Sequence, residues 1–146
     1  MGRLRMMIDS ELANVDLVAV SVHKICSLAG FTDSRADQVE LCVVEALTNV
    51  IRHAYHGQHG RTVSIDVSTA PDEVTIEISD NGVAMQPEHE ERLIRGVSVP
   101  EEEHSDQASL PEGGRGLHII HELMNHVAYC RDGEFNRLTL SAHAAA

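Results

Sequence analysis

Between Glu40 and Tyr55 the chain reads E-L-C-V-V-E-A-L-T-N-V-I-R-H-A-Y, and its apolar residues return with the period of an α-helix. At about 100° per residue, Val39, Val43, Ala46, Leu47, Val50 and Ala54 fall on one apolar arc. On the opposite side Glu45, Asn49 and Arg52 line up at spacings of four and three. A carboxylate and a carboxamide one turn apart can serve a single site. The amide oxygen of Asn49 suits a hard cation, which prefers oxygen ligands, and Glu45 can take a proton from a nucleophile. Taken alone, E-x-x-x-N is a weak signal, because any half-polar helix showing that half to water reads the same way.

Composition narrows the classes. At 146 residues and 42% hydrophobic, residues 1–146 form one expected domain. A chain of this size buries roughly 70% of its extended surface and needs no staples. Two Phe, two Tyr and no Trp leave an aliphatic core. The 23 acidic residues against 11 basic ones oppose direct binding to nucleic acid or to an anionic membrane, and suit a protein that meets protein partners. Lys24 is the only lysine, so phosphate chemistry would rely on Arg, backbone N–H groups and a metal ion. Cys26, Cys42 and Cys130 are scattered among apolar residues and read as buried free thiols. With no secretory signal and no membrane-length apolar run, a cytoplasmic location is expected.

In order, Arg3 to Ile8 reads as an edge strand, and Asp9 and Ser10 are candidate caps for a helix from about Glu11 to Ala29. Thr32 or Asp33 can cap the helix already described, which is expected to end near Tyr55. Residues 62–68 and 74–78 alternate as a hairpin turned at Ala70-Pro71-Asp72. The second strand runs straight into Asp80-Asn81-Gly82, a turn signal. Pro87 to Arg95 reads as a short helix, and Gly96 to Glu112 as a loop. A Gly113-Gly114-Arg115-Gly116 run then opens a helix, and two last strands turn at Asp132-Gly133. The order β-α-α-β-β-α-β-β gives an α+β, two-layer α/β sandwich: a mixed, mostly antiparallel sheet with helices on one face.

Three pieces therefore stand in sequence: the Glu45/Asn49 helix, the Asp80-x-Gly82 turn and the glycine-rich helix start. Each has a use for a nucleotide. A buried Asp80 carboxylate can accept a hydrogen bond from the exocyclic amine of adenine. Gly82 lets backbone approach a flat ring. A glycine-rich helix start points free N–H groups at phosphates. An acidic protein binding a triphosphate also needs Mg²⁺ to offset charge. No P-loop and no dinucleotide-binding glycine pattern is present.

This ordered set resembles the GHKL, or Bergerat-fold, ATPases, and more closely the bacterial anti-sigma factor serine/threonine kinases. The resemblance runs from about residue 5 to 142. E-A-L-T-N-V-I-R-H-A-Y (Glu45 to Tyr55) looks like the family's N box, D-N-G-V-A-M (Asp80 to Met85) like its G1 box, and L-P-E-G-G-R-G-L (Leu110 to Leu117) like its G2 box. The resemblance implies a histidine-kinase-like ATPase fold using ATP and Mg²⁺. It makes Glu45 the general base, Asn49 the Mg²⁺ ligand and Asp80 the adenine reader. Gly113, Gly114, Arg115, Gly116 and Leu117 would meet the phosphates, and residues 96–112 would form the ATP lid. Arg52, His53, Gly82, Ala84 and Met85 would complete the ATP site. Sensor histidine kinases usually carry Asn where Glu45 stands, which favours the serine/threonine branch. That branch implies an anti-anti-sigma (STAS-type) antagonist as phosphoacceptor and a sigma factor as second partner. Ala84 replaces the second glycine of the family's D-x-G-x-G, which leaves open a nucleotide-gated binding module with little catalysis. The apolar first helix and the edge strand can support a homodimer.

Overall fold

A computed structural model of the chain describes residues 1–96 and 114–145. Five strands, β1 (Gly2–Asp9), β2 (Thr62–Ala70), β3 (Glu73–Asp80), β4 (His126–Asp132) and β5 (Phe135–His143), form one sheet in the order β1-β2-β3-β5-β4. The helices are α1 (Leu12–Leu28), α2 (Asp33–Asn49), α3 (Pro87–Arg95) and α4 (Gly114–Leu123), with a π-helical turn (Val50–Ala54) continuing α2. The α+β two-layer reading holds, but the sheet is not mixed. Every pairing among the described strands is antiparallel. The crossover through α3 and α4 does return β4 in the direction of β3, but β5 inserts between them.

Alternation sets the two faces of the sheet. Val63, Ile65 and Val67 of β2, Val74, Ile76 and Ile78 of β3, and Leu138, Leu140 and Ala142 of β5 are buried against the helices. The other face is polar, with Arg5 Nε 2.7 Å from Asp66 Oδ1 and Arg137 Nε 3.3 Å from Glu77 Oε1. Asp66, mid-strand on that face, is held below the usual carboxylate range by the hydrogen bond it accepts from Arg5. The helical layer contributes Val15, Val18, Ala19 and Val22 of α1, Val39, Val43, Ala46 and Leu47 of α2, and Leu117 and Ile120 of α4.

Thr32 caps α2 as expected, its Oγ1 accepting from Arg35 N at 3.2 Å. The caps proposed for α1 do not form; Glu11 takes that position without a side-chain bond. Ser10 is fully buried and faces the loop before β2 instead. It donates to Gln58 O (2.6 Å) and accepts from Arg61 N (3.0 Å), satisfying backbone that the core would otherwise strand. Of the three thiols, Cys26 and Cys42 are buried, and burial pushes them up to about 11 and about 12. Cys130 departs from expectation: it is exposed, because β4 is an edge strand and residue 130 points away from the helices.

Candidate active site

The C-terminal end of α2, the end of β3 and the start of α4 meet around a cavity of about 190 Å³. Its lining includes Asn49, His53, Asp80, Ala84, Met85 and Leu117 from the sequence-derived set, with His56, Val83, His89, Tyr129 and Leu138 besides. Sites that enclose a whole drug-sized ligand run to roughly 300–1,000 Å³. This one has room for a flat heterocycle, with the rest of a larger ligand lying beyond it.

Asp80 closes β3. Residue parity puts its side chain on the inner face with Val74, Ile76 and Ile78, and it is buried. Its Oδ1 accepts from Gly82 N at 2.9 Å and from Asn136 Nδ2 at 2.8 Å. Oδ2 receives no donor among the described residues. Burial raises the Asp80 pKa, while those two hydrogen bonds and the guanidinium groups of Arg131 and Arg61 pull it back.

Gly82 was expected to let backbone approach a ligand ring. The close approach is to the protein itself: a Cβ there would strike the Ala54 carbonyl and come within 2.9 Å of Tyr55 Cδ1. Val83 N donates to Ala54 O at 2.9 Å, so the stretch after β3 is laid over the end of the π-helical turn. Beneath it the buried Tyr55 donates its hydroxyl to Thr62 O (2.5 Å) and accepts from Asn81 N (3.0 Å). Further along, Met85 N donates to Tyr129 Oη at 2.8 Å.

The π-helical turn also sorts the polar side of α2. Its ring is wider than an α turn, as in Tyr55 N to Val50 O at 3.0 Å, so residues beyond Val50 lag behind the expected spacing. His53 lines the cavity with Asn49, its ring 6.4 Å from that of His89. Arg52 is exposed and lies outside the lining.

Asn49 Nδ2 is buried with no hydrogen-bond partner among the described residues. Buried carboxamides are normally satisfied, so an orphaned one at a cavity wall marks a missing partner. No hydrogen bond among the described residues holds this amide, so turned over it could offer its oxygen to a hard cation such as Mg²⁺, with phosphate and water supplying the other ligands. Glu45, one turn earlier, is half-buried and abuts the first turn of α4: a Cβ on Gly116 would overlap its Oε2. Gly116 and Leu117 are buried, and Arg115 is exposed. Gly114 opens α4, so the expected phosphate loop is already the helix's first turn from that residue on. Gly113 and the remainder of the expected lid after Gly96 lie outside the described residues.

Tyr129, Asn136 and His89 were not singled out from sequence. Asn136 had a signal: it sits on the inner parity of F-N-R-L-T-L, where Leu138 and Leu140 also point, and a carboxamide on a core face needs partners.

Residues 8–142 match the defining pattern of the histidine kinase-like ATPase domain, and the chain belongs to that family. Within the family it groups with protein serine/threonine kinases. It is similar to the serine/threonine-protein kinase BtrW of Bordetella bronchiseptica, 32% identical over 105 residues that span 72% of this chain and 68% of that protein. It is also similar to the serine-protein kinase RsbW of Listeria innocua, 27% identical over 125 residues, 86% of this chain and 77% of that one. Among solved structures, the SiaB-SiaC complex from Pseudomonas aeruginosa aligns with a TM-score of 0.62 at 12% identity, over 93% of this chain and 88% of that one. The RsbU and RsbW domains of Rv1364c from Mycobacterium tuberculosis align at 0.63 and 12% identity, over 98% of this chain and only 32% of that one. At these identities the two structures show a shared fold.

Proposed function

We propose that the chain is an Mg-ATP-dependent anti-sigma factor kinase that phosphorylates a serine on an anti-anti-sigma (STAS-type) antagonist and sequesters a sigma factor. The observation that carries the nucleotide reading is the orphaned Asn49 carboxamide, on the wall of the same cavity as an Asp80 whose Oδ2 is open.

Adenine would occupy the cavity, with its exocyclic amine donating to Asp80 Oδ2. The backbone N–H groups of the first turn of α4 would donate to phosphate oxygens. Mg²⁺, held on the protein side by Asn49, would neutralise phosphate charge. Glu45, one turn before Asn49 and against the first turn of α4, would take the proton of the acceptor serine as the serine oxygen bonds the γ-phosphorus and ADP leaves. The relatives named as serine-protein kinase and serine/threonine-protein kinase support a hydroxyl acceptor on a protein. The negative charge that phosphorylation adds would release the antagonist and free the kinase to hold the sigma factor.

A cytoplasmic site of action goes with the proposed sigma-factor partner; among the described residues no helix is long and apolar enough to cross a membrane. Exposed Leu17, Val20 and Leu28 on α1, with the open edge of β1, offer the surface for a homodimer.

The test is transfer of labelled γ-phosphate from ATP to a candidate antagonist. Transfer that falls about 10²–10⁴-fold in Glu45→Ala while ATP binding persists is the expected result. Nucleotide-dependent partner binding with no transfer in the wild type would instead make the chain a nucleotide-gated binding module.

A further inference from the structure

The carboxylate that would read the base is not held by its own strand. Asn136, buried on β5 opposite Asp80 in the sheet register, donates from Nδ2 to Asp80 Oδ1 at 2.8 Å. The same Nδ2 reaches Gly82 O at 3.0 Å and Val83 O at 3.4 Å, the backbone that follows Asp80. On its other side Arg131 Nη1 donates to Asn136 Oδ1 at 2.9 Å and lies 3.4 Å from Gly82 O. A guanidinium can only donate, so it must face the amide oxygen. That fixes the amide's orientation, with its NH₂ turned to Asp80.

We propose that Asn136, locked by Arg131, is the specificity-positioning residue of this site: it occupies Asp80 Oδ1 so that Oδ2 alone faces the base, and it thereby sets the preference for a 6-amino purine. The inference rests on the proposed adenine reading of the cavity and adds to it a residue outside the three sequence boxes. Among the described residues, two donors on Oδ1 and none on Oδ2 fix both the rotation of the carboxylate and which oxygen remains to accept. A purine carrying a 6-oxo group would set an acceptor against that oxygen and be refused. The bond to Asn136 also favours the ionised carboxylate that this recognition needs. The other charged and titratable groups around Asp80 are Arg131, Arg61, Tyr55 and Tyr129, with His53, His56 and His89 on the cavity wall.

Asn136→Asp is nearly isosteric and keeps an acceptor for Arg131, but it replaces the donor with a second carboxyl group. Calorimetry with Mg-ATP and Mg-GTP on the wild type and this variant should show ATP affinity falling about 10- to 100-fold. GTP affinity should change little, so the ATP:GTP ratio narrows. The ATP loss should deepen as pH falls from 8 to 6, because a neighbouring carboxylate makes Asp80 take up its proton at higher pH. Arg131→Gln, at an exposed position, should narrow the same ratio by less, and it decides the matter if Asn136→Asp does not fold. Equal losses for both nucleotides with an unchanged pH profile would mean a merely structural Asn136 and would overturn the inference. Wild-type ATP and GTP affinities that are alike would overturn the adenine reading itself, and the inference with it.

Discussion

Asp80 is a charge placed where burial disfavours it. Its raised pKa means that its contribution to stability is fully present below the ordinary carboxylate value and is lost as pH rises through the raised one. Asp80→Asn keeps an oxygen for Gly82 N and Asn136 Nδ2 and carries no charge. The variant should therefore melt at or above the wild-type temperature at pH 7, with the gap closing toward pH 4. ATP affinity should nevertheless fall about 10-fold or more, since the variant's free amide nitrogen would face adenine's donor. Thermal melts at several pH values, paired with calorimetry, check both halves. Gly82→Ala should act the other way. Its Cβ meets the Ala54 carbonyl, which cannot swing aside, so a loss of about 1–3 kcal/mol is expected in urea unfolding. Asp80 and Gly82 were legible in the sequence because a turn signal directly follows an alternating strand. Asn136 was legible only as an inward-facing carboxamide and Tyr129 not at all, because the meeting of Asn136 with Asp80 and the arrival of Tyr129 at the cavity depend on how β5 and β4 register against β3, which no local pattern encodes.

At the scale of elements, α2 is anchored at both ends. At its start the buried Arg35 donates to Leu123 O (2.7 Å), Asn125 Oδ1 (2.7 Å), His143 O (2.9 Å) and Gln38 Oε1 (2.8 Å), tying α2 to the end of α4 and to β5. Charged donors contribute about 1.5–3 kcal/mol per hydrogen bond, and Arg35→Met leaves several acceptors stranded, so a loss of at least about 2 kcal/mol is expected from urea midpoints. Thr32→Ala removes only the cap and should cost about 1 kcal/mol. Neither substitution touches the cavity, so in protein that remains folded ATP affinity should be unchanged. At its other end α2 passes into the π-helical turn. V-I-R-H-A keeps the apolar spacing of an α-helix, and the sequence gives no sign of the wider winding. That winding brings His53 to the cavity and leaves Arg52 exposed. Helix and strand positions were otherwise readable because each apolar period matches its element. Cap choice at α1 was not, because Ser10 is drawn away by the loop before β2, a contact distant in sequence.

Across the whole molecule, one face of the sheet carries the helices and the site, and the other carries paired charges. Five of the exposed apolar side chains lie on α1 and β1: Leu17, Val20 and Leu28, with Leu4 and Met7. If these cover a second copy, Leu17→Glu with Leu28→Glu should halve the mass seen by light scattering and leave ATP binding intact, because neither residue lines the cavity, which lies beyond β2 around β3 and β5. An unchanged mass would remove the homodimer from the account. The convergence of Glu45, Asn49, Asp80 and α4 on one magnesium-dependent adenine cleft is tested most directly by titrating ATP with and without Mg²⁺ into the wild type and Asn49→Ala. The account predicts that Mg²⁺ strengthens ATP binding to the wild type by about 10-fold or more and that this gain disappears in Asn49→Ala. The same magnesium gain in both proteins would contradict it.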